Sequence, residues 1–86
     1  MINWDTITEN KFKQLLERIP VFMRTIAAEK VTNKAQELVQ ADGRTTITEK
    51  DMVDAFFSET PFGFHGPMKN DMRTVGIDYV HYGYGE

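Results

Sequence analysis

The stretch from Pro20 to Gly43 constrains this chain most. Pro20 can open a helix, because its missing N–H would have no intrahelical partner there, and Gly43 can close one by taking up positive φ. Between them, apolar residues at Phe22, Met23, Ile26, Ala27, Val31, Ala35, Leu38 and Val39 recur in steps of three and four. That spacing predicts one apolar stripe along one helix face. At 1.5 Å per residue the segment spans roughly 34 Å, the width of a small domain. The flanking segments are therefore expected to pack along it.

Two shorter helices flank this one. The first is expected to be capped by Thr8, with Glu9 placing charge at the positive end of the dipole and Ile7/Phe12 at hydrophobic-staple spacing. Phe12, Leu15, Leu16 and Ile19 continue its apolar face. It should stop near Arg18, because a residue before proline leaves the helical region. Trp4 lies ahead of it as a lid on the core. After Gly43, Arg44 to Ile47 reads as an extended link. Thr48-Glu49-Lys50-Asp51 is a capping box, and Ile47/Met52 repeats the staple spacing. Met52, Val53, Ala55, Phe56 and Phe57 then form a third helix that fades before Pro61.

Residues 1–60 thus read as a three-helix domain and 61–86 as a C-terminal extension. Five of the six glycines and five of the ten aromatics fall in the extension, so it should not continue the helical pattern unchanged. A short fourth helix is expected with Pro67 as its first residue, running through Met68 to Val75 and ended by Gly76. The tail shows a weak strand alternation at Ile77, Tyr79 and His81, followed by too much glycine to sustain a strand. The predicted fold class is all-α: three helices with a long central one, a short fourth helix, and an aromatic, glycine-rich tail packing on them or on a partner.

Composition narrows the function classes. With no cysteine the sequence offers no disulfide, thiolate metal site or thiol nucleophile, which fits a reducing, cytoplasmic setting. No apolar run reaches the roughly 18 residues of a membrane span, and the start Met1-Ile2-Asn3-Trp4-Asp5 lacks the basic-then-apolar order of a signal segment. Ten scattered basic residues against thirteen acidic ones leave a net charge of −3, without the basic footprint of a nucleic-acid binder.

Candidate chemistry is sparse. His65 and His81 stand sixteen positions apart without an acidic pair to complete a metal set, and Ser58 is the single serine. Phe64 to Pro67 is most simply a turn, and His81 is placed to make one hydrogen bond. The glycines lack the strand-before, helix-after context of a phosphate loop. No catalytic residue, metal site or cofactor is expected, and an independent enzyme is the function class with the least support in the residues. The sharpest signal is the tail, where Phe62, Phe64, Tyr79, His81 and Tyr82 either grip a flat apolar ligand or a protein, or cover an undersized core. Arg24 suits a bidentate contact to a carboxylate, on a ligand, a partner or this same domain.

The run from Trp4 to Phe57 resembles the small domain at the C-terminus of a nitrogenase-like subunit of light-independent protochlorophyllide reductase. The likeness rests on Trp4, Ile19-Pro20-Val21-Phe22-Met23-Arg24, Ala35, Gly43 and Ile47-Thr48. The iron–sulfur ligands of that enzyme reside in its large nitrogenase-like portion, and a chain without cysteine cannot supply them. The resemblance therefore implies an accessory module that helps cover a tetrapyrrole or organises reductase subunits; Arg24 is the one charged position in the matched motif, and the tail aromatics lie outside the likeness. A rival reading comes from the long helix followed by Arg44-Thr45-Thr46-Ile47-Thr48 and a short helix. That order is similar to half of a histone fold and implies a dimerisation module without tetrapyrrole. Neither reading sets the oligomeric state.

Overall fold

The computed structural model describes residues 1–85. Its elements are β1 (Asn3–Trp4), α1 (Thr6–Glu17), α2 (Val21–Ala41), β2 (Thr46–Ile47), α3 (Glu49–Glu59) and α4 (His65–Thr74), with single 3₁₀ turns at Phe62–Phe64 and Val80–Tyr82. The all-α class is as expected, with a two-residue parallel pairing of β1 and β2 added. In that ladder the Asn3 and Asp5 N–H groups donate to the Thr45 and Ile47 carbonyls at 2.9 and 3.0 Å. It fastens the chain's start to the loop after α2 and sets Trp4 over the core, where its ring stacks on Phe12 at 4.6 Å.

Helix ends follow from local chemistry. Helix α1 is capped by Asp5 rather than Thr8. The Asp5 carboxylate accepts from the Thr8 N–H at 3.1 Å and from its hydroxyl at 2.9 Å. This shift puts Ile7 in the first turn facing solvent, so the Ile7/Phe12 staple does not form. Pro20 is the cap of α2 instead of its first helical residue. At the far end Gly43, at φ +69°, lets its own N–H reach Gln40 and the Arg44 N–H reach Val39. These two bonds satisfy carbonyls that the helix leaves open. Gly76, at φ +81°, ends α4 by the same pair of bonds, to Arg73 and Met72.

The core is centred on α3. Met52, Val53, Ala55, Phe56 and Phe57 are buried there, with the staple pair Ile47/Met52 fully enclosed. Against them pack Phe12 and Leu15 of α1, Val31, Ala35 and Val39 of α2, and Met68 and Met72 of α4. Helix α4 starts two residues before Pro67, which sits at its third position, where a missing N–H still costs no bond. The expected strand alternation at the chain's end gives way to the 3₁₀ turn at Val80–Tyr82, with Ile77 and Tyr79 inserted into the core.

Three polar clasps bind the elements. Thr48 and Asp51 form the expected capping box, and the Arg44 guanidinium adds a bidentate contact to the buried Asp51 carboxylate at 2.9 and 2.7 Å. Burial pushes the Asp51 carboxyl upward, but Arg44 and the Thr48 N–H and hydroxyl outweigh it and hold its pKa below the ordinary carboxylate value. Lys11 donates to Glu49 at 2.7 Å and to the Gly76 carbonyl at 3.0 Å, joining α1, α3 and the tail. Arg18 and Asp71 pair α1 with α4 at 2.8 Å.

Candidate functional site

The apolar residues of α2 do not form one stripe. Each residue turns the helix by about 100°, so the nine positions from Phe22 to Val31 bring the side chain to the opposite side. Val31, Ala35 and Val39, spaced by four, face the core and are buried. Phe22, Met23 and Ile26 face away from it and are 82, 50 and 57% exposed, with Val21 exposed beside them at the helix tip. Between the two rows lie the half-buried Ala27 and Ala28, the latter packed against the core. The face continues in polar residues, with Glu29, Lys30, Asn33 and Glu37 following Ile26 along the outside of the helix.

The apolar surface of Phe22, Met23 and Ile26 is on the order of 350 Å², summed from three partly or largely exposed side chains of ordinary size. A patch of about this size is in the range of the largest one on a typical monomer, and such patches are often functional. Folding supplies no reason for it: a helix start gains from an acidic residue in its first turn, whereas this one carries Val21, Phe22 and Met23 there beneath a proline that has no side-chain oxygen to cap it.

Arg24 belongs to the scaffold. Its Nε donates to the Leu16 and Ile19 carbonyls at 2.9 and 3.0 Å, and its Nη2 to the Glu17 carbonyl at 2.9 Å. It thereby closes the C-terminal end of α1 from the adjoining helix, meeting carbonyls that would otherwise lack donors. No carboxylate of the described residues pairs with it, so the expected ion pair within the domain is replaced by backbone capping. A guanidinium fits this task because its planar fork reaches several acceptors at once.

The tail aromatics are dispersed. Tyr79 is buried, with its hydroxyl accepting from Arg73. Tyr82 donates to Glu49 at 3.2 Å, and burial, then the Glu49 charge and hydrogen bond, push its pKa up. His81 is exposed with its ring edge against Tyr82, and its backbone N–H donates to Asp78 at 3.2 Å. Tyr84, outside the set that the sequence pattern singles out, stacks on Phe57 at 4.0 Å and donates to Asp54 at 2.6 Å. Burial first, then the Asp54 contact, pushes its pKa up to about 12. Phe62 and Phe64 are exposed on the 3₁₀ turn, and Phe62 borders an open cleft of about 480 Å³ with His65, Lys69 and Tyr84. Here the His65 ring bonds the Thr60 carbonyl at 2.8 Å and meets the Phe57 ring edge-on.

The six residues singled out in the sequence therefore do not converge. Arg24 and Tyr79 serve the fold, Tyr82 ties the tail to α3, and Phe62, Phe64 and His81 stand on the surface. Among the described residues there is no group of three metal-ligating side chains, and no helix is long and apolar enough to cross a membrane. The surface that sequence reasoning missed is Val21, Phe22, Met23 and Ile26. No known protein family, curated protein or solved structure matches this chain.

Proposed function

We propose that this chain is a non-catalytic, cytoplasmic docking module whose contact surface is the outer face of the first two turns of α2. The observation that carries this reading is Phe22, 82% exposed on a helix whose other side supplies the core. Exposed aromatic and aliphatic side chains side by side are what a partner's apolar surface buries most profitably. The absence of cysteine supports the cytoplasmic setting. The test replaces Phe22 and Ile26 together by Asp and measures far-UV circular dichroism with binding of an apolar reporter dye. Unchanged helix content with a several-fold loss of dye fluorescence is expected. Lost helix content, or undiminished dye binding, would overturn the assignment.

A second reading is favoured by the resemblance to the accessory domain of protochlorophyllide reductase. Val21, Phe22 and Met23 lie inside the stretch that carries that likeness, and they are the part of it that the fold does not use. In that lineage the same face would meet a tetrapyrrole or a reductase subunit. Titrating protochlorophyllide while following Trp4 fluorescence and the pigment's visible band tests the pigment. Quenching and a band shift in the parent, both lost in Phe22→Asp, support it; no change at micromolar protein removes it and leaves protein docking.

A further inference from the structure

We infer that residues 80–85 form a strap that opens and closes over the Phe57 ring while the rest of the domain stays folded. The strap belongs to the tail and is independent of the α2 face. Three observations carry it.

The first is a sharp change in burial after Tyr79. Ile77 and Tyr79 are 2 and 4% exposed, whereas Val80, His81, Gly83 and Gly85 face solvent and Tyr82 and Tyr84 are half-buried. Segments with few buried contacts are the ones that open locally. The second is that the backbone of the strap closes on itself. The Tyr82 and Tyr84 N–H groups donate to the Tyr79 carbonyl at 3.1 and 3.2 Å, and the Gly83 N–H donates to the Val80 carbonyl at 3.0 Å. Gly83, at φ +95°, permits this tight return. Among the described residues no backbone hydrogen bond ties 80–85 to a helix or to the β1–β2 ladder.

The third is that the anchors of the strap can let go without stranding a charge. The Tyr82 and Tyr84 hydroxyls donate to Glu49 Oε2 and Asp54 Oδ1, at 3.2 and 2.6 Å. The other oxygen of each carboxylate already holds a lysine, Lys11 on Glu49 at 2.7 Å and Lys50 on Asp54 at 2.8 Å. When the phenols leave, each carboxylate keeps its cation and takes up water, so the large cost of an unpaired charge does not arise. What opening gives up is two hydrogen bonds and the stack of Tyr84 on Phe57.

Opening remakes the cleft beside α3. In the closed form Tyr84 lines it together with Phe62 and His65. In the open form the ring face of Phe57 that Tyr84 covers is added to the cleft, next to a His65 ring that already meets both Phe57 and Phe62. The strap therefore sets which of two linings the cleft presents.

Amide hydrogen exchange of the full chain, followed residue by residue by NMR, tests this. After correction for intrinsic rates, exchange at Tyr82 and Gly83 should be at least about a hundredfold faster than at Phe56 in α3. Tyr84→Phe deletes the bond to Asp54 and should quicken exchange at positions 82 and 83 about tenfold. Ile47→Val trims the enclosed core and should quicken exchange at Phe56 by about two- to tenfold while leaving positions 82 and 83 unchanged. If Tyr82 and Gly83 exchange as slowly as Phe56 and respond to Ile47→Val in step with it, the tail opens only with the whole domain and the proposal is overturned. Exchange at 82 and 83 that ignores Tyr84→Phe overturns it as well, because the phenol is then not the latch.

Discussion

The two halves of α2 have similar residue types and opposite fates. From Val31 to Ala41 the helix gives the core Val31, Ala35 and Val39, all essentially enclosed, and is tied off by the Gly43 turn. From Val21 to Ile26 it presents Val21, Phe22, Met23 and Ile26 to solvent. What holds this first half in place is the Arg24 side chain on the end of α1, not apolar burial. One continuous helix thus does two jobs, and hydrophobicity alone does not tell them apart. The phase around the helix does so for Phe22, Met23 and Ile26, whereas Val21, in phase with Val39, is exposed at the helix tip.

The largest expected effect lies at the buried half. Val39→Asp places an unpaired charge where nothing can solvate it, a cost comparable to the whole stability of a domain this small. Circular dichroism at 25 °C should show an unfolded chain. A folded Val39 variant would dissolve the contrast between the halves.

Next comes the clasp that secures the buried half's exit. Asp51→Ala removes the α3 cap and leaves Arg44 without its bidentate partner, for a loss of about 2–3 kcal/mol in urea unfolding. The half-exposed Arg44 keeps this below the cost of breaking a fully buried pair. The pH dependence follows from the lowered Asp51 pKa. A carboxyl whose folded pKa lies below its unfolded value stabilises the fold above the unfolded value, and that contribution is lost as pH falls through the folded one. The parent should therefore lose stability below about pH 4, more steeply than Asp51→Ala.

A smaller loss is expected where the exposed half is anchored. Arg24→Ala leaves three carbonyls at the α1 terminus to water, costing about 1–2 kcal/mol. Arg24→Lys should recover less than half of that, because an ammonium lacks the fork. Full recovery by Lys would reduce the role of Arg24 to its charge.

The tail supplies a milder check, since it covers α3 and leaves the outer side of α2 bare. Tyr84 titrates at about 12, above its unfolded value near 10. A group raised in this way stabilises the fold below its unfolded pKa and loses that contribution as pH climbs through the folded one. Stability should fall between about pH 10 and 12 in the parent and less in Tyr84→Phe, with one tyrosine titrating late in absorbance at 295 nm.

Features carried by neighbouring residues were legible in the sequence. The Thr48/Asp51 box, the Ile47/Met52 staple, the Gly43 and Gly76 endings and the Trp4 lid all form as their spacing implies. Local reasoning failed where two local solutions compete. Asp5 and Thr8 can each cap α1, and the β1–β2 ladder, a contact across more than forty residues, draws Asp5 into position. The Arg44–Asp51 pair spans a turn whose shape residue spacing does not reveal. The exposed row at the start of α2 is hidden for a simpler reason: steps of three and four carry no record of accumulated phase, so two rows on opposite sides of a helix read as one. Arg24 invites a carboxylate in the sequence, and in the fold it finds carbonyls because α1 ends within its reach.

The account stands or falls on Phe22. Urea unfolding of Phe22→Asp asks whether the outer half of α2 contributes to folding. At the second position of a helix an Asp side chain meets the positive end of the dipole, so the variant should match the parent or exceed it by about 0.3–1 kcal/mol. A loss of about 2 kcal/mol or more would show that Phe22 is part of the fold, contradicting the assignment of that face to a partner.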